Sequence, residues 1–129
     1  VTVLQPPGWP RPKGYSCGVA ASGTTVFVSG QIGWDEHGRF TASDLAGQTG
    51  QALRNVVAVL AEAGARPEHV TRLTWYVTDK REYLAAQRAI GEAYRAVMGR
   101  HYPAMSVVEV SALLEDAAKV EIEATAVVA

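Results

Sequence analysis

Two glutamates near the C-terminus are the residues best placed to do chemistry. In the run Lys119–Val128, Glu121 and Glu123 alternate with Val120, Ile122 and Ala124. Strand side chains repeat with period 2, so both carboxylates fall on one face and the apolar residues on the other. One reading makes them solvated carboxylates that blunt pairing at an exposed sheet edge. The other places one of them in an intersubunit cleft, where it positions or activates a water. Spacing alone leaves both open.

Other reactive side chains offer less. His37, His69 and His101 fall in predicted loops about thirty residues apart, without the close spacing of a metal-ligand set, so no metal site is expected. Cys17 is the sole cysteine; with no histidine nearby in sequence, it reads as a small buried hydrophobe rather than a thiol nucleophile. P-loop, GxGxxG and GxSxG patterns are absent. The net charge is −1, and Arg72, Lys80, Arg81, Arg88, Arg95 and Arg100 are spread over a strand end and a helix surface. Nucleic acid is therefore not an expected partner. The chain also lacks an apolar run of membrane-span length and a signal-peptide pattern, and its lone cysteine suits a reducing, cytoplasmic setting.

The 129 residues suit a single domain, 1–129, with a large enough core to need no staples. Four of the six prolines lie in residues 5–14, marking residues 1–14 as a Pro-rich N-terminal arm. Tyr15–Ala21 and Thr24–Ser29 read as strands around a hairpin-type turn at Ser22-Gly23. Gly30 and Gly33 bracket Gln31-Ile32, where a missing Cβ permits close approach. Asp44–Ala63 is the clearest helix, capped by Ser43 or Asp44, with Leu45, Thr49, Leu53, Val56, Val57 and Leu60 as its stripe. Val70–Thr78 is a strand. Asp79 opens a second helix with stripe Tyr83, Ile90, Tyr94, Val97 and Met98, into which polar Gln87 intrudes. Met105–Ala112 and Lys119–Val128 are the last two strands.

The order is β-β-α-β-α-β-β: an α+β fold with a mixed sheet and two helices on one face. The uncovered face would carry Phe27, Trp75 or Tyr76, Val107 and Val127. That is too apolar for open water, so sheet faces should meet in an oligomer.

The segments YSCGVAASG, VFVSGQIG, VTRLTWYVTD, YPAMSVVEVSAL and VEIEATAV resemble the Rid (YjgF/RidA, endoribonuclease L-PSP) family over residues 14–128. The resemblance implies a chorismate-mutase-like fold and a homotrimer holding small molecules in three intersubunit clefts. It also implies hydrolysis of imine or enamine metabolites such as 2-aminoacrylate, with no cofactor or metal. Carried over by motif, Glu121 orients the attacking water, Tyr15 hydrogen-bonds at the site, and Gly30, in the same Ser-Gly-Gln run as Gln31, offers backbone to the substrate. Gln87 stands where asparagine is common, Val107 where cysteine or threonine is common, and Cys17 where glutamine is common. Met105 is the sharpest departure, because active deaminases of the family carry a carboxylate-clamping arginine there. A thioether cannot replace a planar fork of donors. The expectation is a hydrolase or deaminase of an imine or enamine other than 2-aminoacrylate, with Met105, Val107 and Trp75 or Tyr76 lining a more apolar cleft. Arg11, on the arm, is a candidate for the missing charge. The alternative is a non-catalytic metabolite-binding trimer using the same cleft.

Overall fold

The computed structural model describes residues 1–129. Its centre is a four-stranded sheet of β3 (Thr24–Ile32), β6 (Val120–Val128), β4 (Val70–Val77) and β5 (Ala104–Glu109), in that spatial order. β6 runs antiparallel to both β3 and β4, whereas β4 and β5 are parallel. Parallel neighbours need a crossover connection. Here it is made by α2 (Lys80–Ala85) and α3 (Gln87–Met98), which replace the single helix expected after Asp79. The break falls at Ala86, which caps the end of one helix and the start of the next. α1 (Leu45–Glu62) connects β3 to β4 and packs beside α3 over the same sheet face.

Local chemistry explains the helix ends. The Asp44 carboxylate accepts the Gly47 N–H, and that of Asp79 accepts those of Arg81 and Glu82. Both thereby satisfy helix donors that have no intrahelical partner. Gly64 and Gly99 follow the C-termini at φ +69° and +66°, where a side chain would be strained.

The expected hairpin at Ser22-Gly23 does not form as a pair. β2 (Gly18–Ala20) instead pairs antiparallel with β1 (Thr2–Leu4), a strand within the Pro-rich arm. The arm thus folds back on itself. Just before β2 the chain touches the main sheet at its β5 edge, where the Ser16 N–H donates to the Pro103 carbonyl at 3.0 Å.

The core lies between helices and sheet. Leu53, Val56 and Leu60 of α1 meet Val70 and Leu73 of β4 and Val120 and Ile122 of β6, all fully buried. One polar side chain is buried among them. Gln48 Nε2 donates to the Ala42 and Ala117 carbonyls at 3.2 and 2.9 Å, while its Oε1 accepts the Lys119 N–H at 2.8 Å. This amide ties the approach to α1 to the approach to β6. A Cβ at Gly33 would lie 2.6 Å from that of Gln48, so glycine there is a packing requirement.

Gln48→Ala strands three backbone groups at once. The expected loss is about 2–4 kcal/mol, measured by denaturant unfolding at fixed protein concentration.

Candidate functional site

Register decides which site residues can meet. Leu73 and Trp75 of β4 pair with Met105 and Val107 of β5, and also with Ala124 and Ile122 of β6. Directly paired residues share a sheet face, so all six point toward the helices. Tyr76 pairs with Glu121 and Val108, and Thr74 with Glu123, which puts these residues on the uncovered face. Glu121 and Met105 therefore project from opposite faces of one chain's sheet. Val107, expected on the open face, belongs to the covered one, and so does Trp75, one of the two alternatives offered for the open face. Tyr76, with Phe27, belongs to the open one.

The open face carries the carboxylates. β6 is paired on both sides, so Glu121 and Glu123 do not blunt an edge. Tyr76 Oη donates to Glu123 Oε1 at 2.7 Å, which occupies that carboxylate and raises the phenol pKa above its ordinary value. Glu121 lies across Gly30: a Cβ there would come within 2.7 Å of its Cδ and 2.8 Å of its Cγ. Gly30 sits in the register shift between Val28 and Gln31 where β3 meets β6. Gln31, expected at the site, turns its amide back onto Ser29, donating to the backbone carbonyl at 3.1 Å and to the hydroxyl at 3.3 Å. Phe27 stands 78% exposed on this face at the β3 edge, and Val108 is half-exposed at the opposite, β5 edge.

The other predicted residues converge elsewhere. A cleft of about 510 Å³ opens between α3 and the β4–β5 side of the sheet, roofed by the end of the arm. Tyr15, Gln87, Met105 and Val107 all line it. Its wall is aromatic: Trp75 stacks near Tyr94 at 6.4 Å between ring centroids, and Tyr94 on Tyr102 at 5.5 Å with 13° between planes. Tyr83 meets Trp75 edge-on at 6.4 Å. Burial raises the phenol pKa of Tyr83, and that of Tyr94 more strongly, with neighbouring Tyr102 adding to the latter.

Two cations also line this cleft, Lys13 from the arm and Arg95 from α3. Neither was singled out from the sequence, although Gln87, Gly91 and Arg95 recur every four residues, the spacing of one helix stripe. Arg11, the expected source of charge, is exposed on the arm and does not line the cleft.

The remaining reactive side chains are structural or peripheral. Cys17 is exposed, contrary to the expectation of burial, because the arm carries it past the edge of the sheet. His101 Nε2 lies 2.7 Å from the Val70 carbonyl, and His69 Nδ1 accepts the Arg66 N–H at 2.9 Å. No three His, Cys, Asp or Glu side chains converge as a metal set. A larger cleft, about 710 Å³, separates residues 40–43 from residues 111–119. It contains none of the predicted site residues, and its buried polar side chain, Gln48, is already bonded. No helix is long and apolar enough to cross a membrane.

Comparison with known proteins adds an independent line. The family model described as Endoribonuclease L-PSP matches residues 10–128. The 2-iminobutanoate/2-iminopropanoate deaminase of Salmonella typhimurium is 37% identical over 105 residues, covering 81% of this chain and 80% of that protein. The crystal structure of YyfB, a Rid-family protein of Yersinia pestis, superposes with a TM-score of 0.87 at 34% identity over 98% of both chains. Escherichia coli TdcF, solved with bound serine, gives 0.71 at 33% identity over the full length of both.

Two outcomes follow from the site geometry. Gly30→Ala should force Glu121 out of its position, visible as a changed rotamer in a crystal structure, at a cost of about 1–3 kcal/mol. Alkaline titration should show a second effect. Tyr76, Tyr83 and Tyr94 hold their protons above the ordinary phenol value of 10.0, so the unfolded chain ionises first. Their contribution to stability is intact below that pH and falls as pH rises through and beyond it. Tyrosinate absorbance should lag accordingly, and Tyr76→Phe should remove one late component.

Proposed function

The chain belongs to the Rid (YjgF/RidA, endoribonuclease L-PSP) family of small imine and enamine deaminases, and we propose that it assembles as a homotrimer that hydrolyses an imine or enamine metabolite in clefts between its subunits. The observation that carries this reading is the division of the site residues between the two sheet faces. Gly30 and Glu121 lie on the uncovered face, while Tyr15, Gln87, Met105 and Val107 line the cleft under α3. One chain cannot bring these halves together. A neighbour's open face, laid against the cleft side of this subunit, can. Burying Phe27 in such a contact would contribute up to about 2 kcal/mol per subunit.

In this reading an enamine first tautomerises to its imine. Water then adds to the imine carbon, its oxygen forming the new C–O bond as the nitrogen takes up a proton. Glu121 holds that water and accepts its proton. The tetrahedral aminoalcohol collapses as Glu121 returns its proton to the nitrogen and the hydroxyl releases its own, breaking the C–N bond to give a carbonyl compound and ammonia. Tyr15 hydrogen-bonds the reacting group, and the backbone at Gly30 approaches it closely. The protein's contribution is placement of water and substrate together with stabilisation of developing charge. Neither the steps nor the residues assigned to them call for a cofactor. Met105 offers no donor for a substrate carboxylate at the place where the family's active deaminases are expected to hold it, which disfavours 2-aminoacrylate itself.

The test uses imines generated in situ from a panel of amino acids, with 2-aminoacrylate included, and reads carbonyl product. Glu121→Gln and Tyr15→Ala homotrimers should each lose at least about 100-fold in kcat while keeping the wild-type mass in solution. Co-expressed, the two variants should regain activity, because some interfaces then carry both intact halves. Turnover of 2-aminoacrylate should lag that of an arginine-bearing relative by about tenfold or more. Full activity in Glu121→Gln would remove the hydrolytic reading, and saturable binding without turnover in the wild type would leave a metabolite-binding protein. Failure of the mixed assemblies to regain activity would remove the intersubunit site.

A further inference from the structure

The cleft holds a cation that the family resemblance leaves without a role. Arg95 stands one helical turn after Gly91 and two after Gln87, and all three line the cleft. Its guanidinium folds back along the helix, one terminal nitrogen lying 3.2 Å from the point a Cβ at Gly91 would occupy. Arg95 takes part in none of the chain's ion pairs. The nearby helical acid, Glu92, faces Arg88 instead, at 3.7 Å. A planar fork with five donors is thus left unpaired at the rim of an aromatic wall, with Lys13 as a second positive charge on the same cleft.

That combination selects a ligand class. A cationic ligand would meet two like charges. A small anion would leave the half-buried apolar lining of the cleft, Tyr83, Tyr102, Met105 and Val107, without a partner. An anion carrying a large flat apolar group satisfies both features, through charge-assisted hydrogen bonds at one end and ring packing along the other. We infer that Arg95 is the anion-binding residue of this cleft and that its substrates are 2-imino acids with a large apolar, preferably aromatic, side chain. The carboxylate is then held from α3 instead of from β5, where Met105 packs against the apolar part of the ligand. The chemistry assigned to these acids rests on the hydrolase reading above, whereas the anion site does not.

Calorimetric titration separates the two. The probes are phenylpyruvate, which is the stable keto product expected from a phenylalanine-derived imine, pyruvate, and the uncharged ketone phenylacetone. Wild-type protein should bind phenylpyruvate more tightly than either of the others. Arg95→Ala should weaken phenylpyruvate about tenfold or more and leave phenylacetone unchanged, and Arg95→Lys should retain part of the affinity. Arg95 is exposed on a helix surface, so these variants should keep the fold. With phenylalanine-derived imine, Arg95→Ala should raise KM far more than it lowers kcat, as expected for loss of uniform binding. Phenylpyruvate affinity that ignores Arg95, or that fails to exceed phenylacetone affinity, overturns the inference. Arg95-dependent binding with no imine turnover would uphold the anion site and remove the hydrolase reading instead.

Discussion

Everything about this site depends on the period-2 alternation of a single strand. β6 is the central strand of the sheet, paired on one side with β3 and on the other with β4. Its even residues, Val120 through Ala126, are buried under the helices, and its odd residues, Glu121 and Glu123, look the other way. A shift of one residue would bury the carboxylates and expose the core, so register here is strongly specified. Gly30 fits the same constraint: only a residue without a Cβ lets β3 pass beside the Glu121 side chain. The helices cover one face because each has one apolar stripe, and the other face is left holding the carboxylates and Phe27.

The two carboxylates have different surroundings despite identical chemistry and a shared face. Glu123 is engaged by the Tyr76 hydroxyl, a cross-strand contact that joins β4 to β6. Glu121 has no such side-chain partner and lies against backbone at Gly30. This fits a supporting role for the first and leaves the second free to act on a small molecule. Across the sheet, the cleft under α3 combines a stacked aromatic wall with Met105 and an unpaired arginine. An aromatic wall rewards ligand size and an unpaired cation rewards negative charge, so under the proposed function binding specificity and the handling of water fall to different faces of the fold.

Much of the architecture could be read from periodicity. The α1 stripe, the capping aspartates, the strands β4 and β6 and the uncovered sheet face all follow from local pattern, since burial on one side imposes 3.6- or 2-residue spacing directly. The misses share a cause. β1 escaped notice because three residues in a Pro-rich arm carry no periodic signal, and its pairing with β2 is a long-range choice that replaced the expected hairpin. The break at Ala86 lies within a run of good helix formers. Gln48 sits inside the apolar stripe of α1, where a polar residue should have prompted a search for partners, but its partners at residues 117–119 are distant in sequence.

By itself, then, the amino-acid sequence determined the α+β class, the order of the main-sheet strands and of α1, the face on which Glu121 and Glu123 lie, and the absence of an arginine at position 105. Each of these is a property of one residue type or of a short repeating interval. Only the tertiary structure decided that β6 is central rather than an edge, that Trp75 and Val107 face the helices, and that Glu121 and Met105 cannot meet within one chain. It alone placed Arg95 on the cleft that Met105 lines. These are matters of strand order, register and helix placement, set by contacts between residues dozens of positions apart, which no local spacing encodes.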